Sequence, residues 1–146
     1  NDGTSVDFFE AGTSSSAFRF GPHTSIKKNT TSLDNYCRGN SINTIDILKL
    51  DVQGYELNKL KGAQTILKNV NVIITEVSFI DVYVDSPLVN EVIQFLDLYQ
   101  FQVFDIVDFR RREIDNHLWQ CDMFFIKKDS FLLKEKRKDK KQKRPK

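Results

Sequence analysis

Apolar positions recur at two different spacings along this chain, and the switches between them mark out its elements. Val6 and Phe8, then Phe18 and Phe20, alternate around the segment AGTSSSA, which predicts short strands or a hairpin with a flexible loop. TSLDNYCRGN predicts a short helix with Ser32 as N-cap and Gly39 as its stop. Thr44–Leu50, TIDILKL, predicts a strand. From Gly54 the spacing turns helical, placing Leu57, Leu60, Ile66 and Leu67 on one face and Lys59, Lys61 and Lys68 elsewhere. Asn71–Ser78, rich in β-branched residues, predicts a second strand. Ser86 and Pro87 then open a helix in the cap-then-proline order, with Leu88, Val92, Leu96 and Tyr99 as its apolar stripe. Phe101–Val107 predicts a third strand, Arg110, Arg111 and Arg112 a polar turn, and Trp119–Ile126 a fourth strand.

Strand, helix, strand, helix, strand describes βαβ units, whose strands run parallel with right-handed crossovers. No helix separates the last two strands, which predicts an antiparallel β-hairpin at one edge. The fold class expected is α/β, a three-layer sandwich seen from the middle of the chain onward. At 146 residues, with no segment recurring at a fixed period, the chain fits one domain that buries a real core.

Charge divides the chain in two. Its formal net charge is +2, but residues 127–146 hold 11 Lys/Arg against 3 Asp/Glu, whereas the rest holds 11 against 17. An acidic body, residues 1–128, therefore carries a basic tail, residues 129–146, with too few apolar residues to fold by itself. No apolar run approaches a membrane span and NDGTSVDFFE is not a signal peptide, so a soluble, cytoplasmic protein with no membrane partner is expected. Cys37 and Cys121 match no ligand spacing and read as reduced, structural thiols; His23 and His117 stand alone, which argues against a zinc site.

The candidate chemistry lies in LKLDVQGYELNKLKGA, residues 48–63. Alternation puts Ile45, Ile47, Lys49 and Asp51 on one face, predicted to begin in the core and end at a polar crevice, where open α/β sheets bind ligands. Lys49 and Asp51 can satisfy one another there; capping alone would explain the aspartate but not the lysine. Gly54 suits a tight strand-to-helix turn or a close approach of backbone to a ligand. Glu56 falls in the first helical turn, where the dipole already favours a carboxylate. Val72, Ile74 and Glu76 repeat the pattern on the next strand, so Glu76 opens onto the same crevice if the strands are parallel neighbours; the alternative is an ion pair with Lys49. Tyr83 can wall that crevice, and Gln120 and Asp122 begin the closing strand as substrate contacts or as structure. The arginine run reads as a solvated loop, or as a contact for a phosphate or carboxylate on a substrate.

Lys49, Asp51, Gly54, Glu56, Leu60, Gly62 and Ala63 form a pattern that resembles the FkbM family of S-adenosylmethionine-dependent methyltransferases. TSLDNY before it, and IITEVSF, Tyr83 and QCDMFFIKK after it, stand in the matching order, over about residues 5–128. Gln53 stands where the family's DVEG has glutamate. The resemblance implies a Rossmann-like methyltransferase sheet of seven strands, with Asp51 ending the fourth and Glu76 the fifth. It also implies O-methylation of a hydroxyl, often on a sugar or natural product, with a small-molecule or glycan acceptor. Asp51 is then the first candidate for catalytic base or anchor and Glu76 the second. Asp51 and Gly54 are placed at the cofactor, and Lys49, Glu56, Tyr83 and Gln120 at the substrate. No complete ligand set for a divalent metal is visible, so none is assigned.

The resemblance departs at the front, where no glycine-rich turn follows an apolar strand and no acid ends a second one to hold the cofactor's ribose. The domain expected is therefore N-terminally incomplete: first of all a truncated piece, otherwise a split enzyme completed by an N-terminal half or a second copy, or a degenerate homologue. The rival class is a non-catalytic module whose basic tail contacts nucleic acid or an anionic surface. Against nucleic acid stand one aromatic in the tail, Phe131, and no recognition signature in the body.

Overall fold

The structure, a computed structural model, describes residues 5–9, 25–81 and 86–133. Two strands, β1 (Ser5–Phe9) and β2 (Ser25–Asn29), pair antiparallel with Phe8 opposite Ile26. β1 contains Val6 and Phe8 as the early alternation predicts, but its partner β2 lies beyond the predicted second strand, and Phe18 and Phe20 are outside the described residues. Helix α1 (Leu33–Gly39) follows, and the Ser32 side chain caps it by accepting from the Asn35 amide at 3.2 Å.

The main sheet has the order β3-β4-β6-β5, made of β3 (Ile45–Leu50), β4 (Val70–Ser78), β5 (Phe101–Arg111) and β6 (Leu118–Lys127). β3 and β4 are parallel, while β6 runs antiparallel to both β4 and β5. The result is an open, mixed α/β sheet whose terminal hairpin lies at one edge. Helix α2 (Glu56–Lys61) crosses from β3 to β4, and α3 (Val89–Leu98) crosses from β4 over β6 to β5. Two right-handed crossovers in the same direction put both helices on one side of the sheet. Leu57, Leu60, Ala63, Val92 and Leu96 close a core there with Leu50, Ile73, Val77, Cys121, Met123 and Phe125. The third layer of the expected sandwich is not among the described elements.

Several boundaries differ from the sequence expectation. The helix predicted to run from Gly54 past Leu67 ends at Lys61, and a separate 3₁₀ turn covers Ile66–Asn69. Gly62 sits so close to α1 that a Cβ on it would lie 3.3 Å from the Ser32 Cβ. Beyond it the Asp34 carboxylate of α1 accepts from the Thr65 amide at 2.9 Å and the Ile66 amide at 2.8 Å, starting the turn from outside. α3 begins at Val89, later than Ser86–Pro87 predicts, because Leu88 is extended and bridges in parallel to Ser78. The Glu91 carboxylate accepts from the Leu88 amide at 2.9 Å and closes that end.

The face of β3 carrying Ile45, Ile47, Lys49 and Asp51 begins against the core at Ile45 but leaves it at the next position. Ile47 is 61% exposed, and Leu48 and Leu50 turn toward the core instead. Each face of IDILKL carries two apolar residues, Ile45 and Ile47 on one and Leu48 and Leu50 on the other, so alternation alone could not say which one α2 and α3 cover. On the other side, Ile47 and Val72 border one hollow with Asp129, Phe131 and Leu132 from the opening of the basic tail; residues 134–146 lie outside the described ones.

Candidate active site at the carboxyl end of the parallel strands

β3 and β4 are parallel and in register, Lys49 opposite Ile74 and Leu50 opposite Thr75, so their carboxyl ends emerge together. Asp51 and Glu76 are delivered to that end from adjacent strands. The turn after β3 is left-handed at two successive residues, Gln53 at φ 50° and Gly54 at φ 93°. Glycine takes the second without cost, and this fixes the place of Gly54 in the motif. The turn is stitched by the Glu56 carboxylate, which accepts from the Val52 amide at 3.1 Å. Gln53 donates its side-chain amide to Asp51 Oδ1 at 3.0 Å, a bond that a glutamate at this position, ionised, cannot make.

Lys49 and Asp51 approach to 3.9 Å with side chains 59% and 55% exposed. Both charges stay in water, so neither pays the desolvation that burial in a strand would impose. Lys49 is the ion-pair partner of Asp51; the cation on Glu76 is Arg110.

Glu76 and Glu56 are the buried acids, 5% and 4% exposed. The Glu76 Oε1 accepts from Gln120 Nε2 at 2.8 Å, and its Oε2 is paired with the Arg110 guanidinium. Burial raises the Glu76 pKa; Arg110 opposes the rise, while Asp51 and Asp122 add to it. Burial pushes Glu56 up to about 7 against the hydrogen bonds it accepts from its own, the Val52 and the Gly54 backbone, with the Glu76 charge adding to the rise. Among the described residues the field of this strand end is acidic: Asp51, Glu56, Glu76, Asp108 and Asp122 face Lys49 and Arg110.

Of the residues singled out in the sequence, the fold gathers Asp51, Glu56, Glu76, Gln120 and Asp122, with Gly54 forming the turn and Lys49 its outer border. Tyr83 lies outside the described residues. Arg110 was missed as a member of the site, because RRR at the end of a strand reads as a solvated turn. In fact β5 continues through Arg111, and all three arginines are engaged. Arg110 reaches Asp108 at 3.0 Å besides Glu76, Arg111 donates to the Asn116 carbonyl at 3.0 Å, and Arg112 pairs with Asp115. Their partners, an aspartate two residues before Arg110 and another three residues after Arg112, were the readable signal.

The two cysteines are buried and unbridged, and burial together with Asp122 and Glu76 pushes the Cys121 thiol up to about 11, so it stays protonated. Among the described residues no group of His, Cys, Asp and Glu is arranged to hold a metal ion, and no helix is long and apolar enough to cross a membrane.

The model of a family described as a methyltransferase FkbM domain matches residues 2–103. The chain belongs to the FkbM methyltransferase family. No curated protein and no solved structure matches it. The FkbM match spans β1 through the opening of β5, and so includes Asp51, Gly54, Glu56 and Glu76 but neither Arg110 nor Gln120.

Proposed function

We propose that this FkbM chain takes part in S-adenosylmethionine-dependent methyl transfer to the hydroxyl of an uncharged acceptor such as a sugar or natural product. The observation that carries the reading is the meeting of Asp51 and Glu76 at the carboxyl end of two parallel strands, beside the left-handed turn at Gly54. A ligand crevice at that place is the general rule for open α/β sheets. The order β3-β4-β6-β5 is compatible with the last four strands of a methyltransferase sheet.

The acidic excess suits the cofactor, whose sulfonium carries a positive charge, and it disfavours an anionic acceptor. Asp51 and Gly54 would hold the cofactor at this edge, and the bound cofactor supplies an electrophilic methyl group. Glu76 has one oxygen on Arg110 and the other on Gln120, so it anchors rather than accepts a proton. Asp51 is exposed, with one oxygen on Gln53 and Lys49 alongside, and takes the acceptor's hydroxyl proton as general base. Lys49 and Gln120 border the acceptor, with Tyr83 assigned beside them by family resemblance.

Calorimetric titration of S-adenosylmethionine into the full chain tests the reading. Saturable heat that weakens at least about tenfold in Asp51→Asn, an interaction difference of about 1.4 kcal/mol, supports it. Equal affinity in both proteins overturns it, whereas absence of heat is what the lack of a glycine-rich cofactor turn in this sequence predicts.

A further inference from the structure

Arg110 reaches the site through a break in the sheet's regularity. Val107 pairs with Asp122 but Arg110 pairs with Gln120, so β5 spends one residue more than β6 across this step. A regular antiparallel ladder would set Phe109 opposite Gln120. The extra residue falls at Asp108–Phe109, where Asp108 has a φ of 52°. Bulges of this kind re-aim a side chain. Here the bulge exchanges a phenylalanine, left 58% exposed, for an arginine at the position facing Gln120 and Glu76.

The exchange matters because of what surrounds Glu76. Asp51 after β3, Glu56 on α2 and Asp122 on β6 all bring negative charge toward it, and Lys49 is engaged by Asp51. Among the described residues Arg110 is the cation that touches Glu76, and its second nitrogen is fixed by Asp108 within the bulge itself. The guanidinium fork is thus tied at one end to the distortion that delivers it and at the other to the buried carboxylate.

We propose that Arg110 is the positioning residue of the transfer site, carried onto Glu76 by the β5 bulge so that Glu76 stays an anchored carboxylate and the proton-accepting role falls to Asp51. The inference rests on the reading of Asp51 and Glu76 as the transfer site. Burial pushes Glu76 toward its neutral form and Arg110 is what opposes this, so loss of the arginine moves the anchor toward the uncharged acid.

The test is a carbon-detected NMR titration of the side-chain carboxyls in the full chain, without cofactor or acceptor, with Glu76 assigned by its disappearance in Glu76→Gln. In Arg110→Gln the Glu76 midpoint rises by at least about one pH unit, and Arg110→Lys brings it back toward the native value. Arg112→Gln, whose ion pair lies in the hairpin turn, leaves it in place. An unmoved midpoint in Arg110→Gln, or no recovery in Arg110→Lys, overturns the proposal. Should Arg110→Gln fail to fold, the native chain still decides, since the Arg110 guanidinium signals must titrate with the Glu76 midpoint; independent behaviour overturns it. In a transfer assay the acid limb of the pH profile shifts upward with the carboxyl, and a fixed limb denies Arg110 a part in the reaction. None of the NMR outcomes depends on cofactor binding, so they are separate from failure of the methyltransferase reading.

Discussion

Replacing Glu56 by glutamine makes the protein more stable at neutral and alkaline pH, although Glu56 is part of the family motif and buried. Its folded pKa is raised from 4.5 to about 7. At about 1.4 kcal/mol per pH unit, keeping this carboxylate ionised in the fold costs about 3 kcal/mol. The sign follows from linkage: the folded state binds the proton more tightly than the unfolded chain. Stability from this group is present in full below about pH 4.5, falls as pH rises and levels off above about pH 7. Glutamine keeps the acceptor for the Val52 amide and carries no charge, but it gives up roughly 0.5 kcal/mol of favourable interaction with the α2 dipole. The net expectation is a gain of about 2 kcal/mol at pH 8 that vanishes near pH 4.5. Urea unfolding of both proteins at pH 4.5, 6 and 8 measures it. Glu76 titrates in the same direction in both and largely cancels from the difference. Stability curves that run parallel across this range would refute the assignment of a raised pKa to Glu56.

Other consequences are open to measurement. Asp51→Asn lowers methyl transfer by about 10²- to 10⁴-fold while leaving the unfolding midpoint nearly unchanged, because the residue is exposed; a normal rate in a radiolabel assay would remove it as base. Asp34→Ala frees the amides of Thr65 and Ile66 and destabilises by about 1–2 kcal/mol in urea unfolding. Lys127→Met leaves the Leu67 and Tyr99 carbonyls, at 2.7 and 3.0 Å from its nitrogen, without their donor and removes a cation from the Phe101 ring; about 1–3 kcal/mol is lost. Leu67→Ala empties a fully buried position and costs about 2–5 kcal/mol.

Elements set by local chemistry were legible in the sequence. Ser32 caps α1 because side-chain capping acts within a few residues, and the helix ends at Gly39 with Asn40 as its C-cap. The ends of β4 and β6 fall within a residue of the apolar pattern, since both strands are buried in the sheet. The convergence of Asp51 and Glu76 was readable too, as it needs only parallel neighbours and a period of two. What sequence pattern could not supply depends on distant partners. The end of α2 is imposed by the fit of Gly62 against Ser32, and the start of the next turn by a carboxylate some thirty residues earlier. The exposure of Ile47 depends on which side of the sheet the helices choose. Arg110 was hidden because a bulge shifts the register by one residue, and a single-residue shift leaves no trace in composition.

The sheet order has a consequence for the timing of assembly. β6 is the last of the described strands, yet it lies between β4 and β5, both made earlier. During synthesis the inner edge of β4 waits with its backbone groups unpaired until residues 118–127 have left the ribosome, and β5 has no partner in this sheet before then. Nor can a piece cut at residue 103, where the family match ends, close this sheet or deliver Gln120 to Glu76. The buried acid at the centre of the site is therefore completed only when β6 emerges, after β4 and β5, so zippering of the hairpin and maturation of the site are the same event.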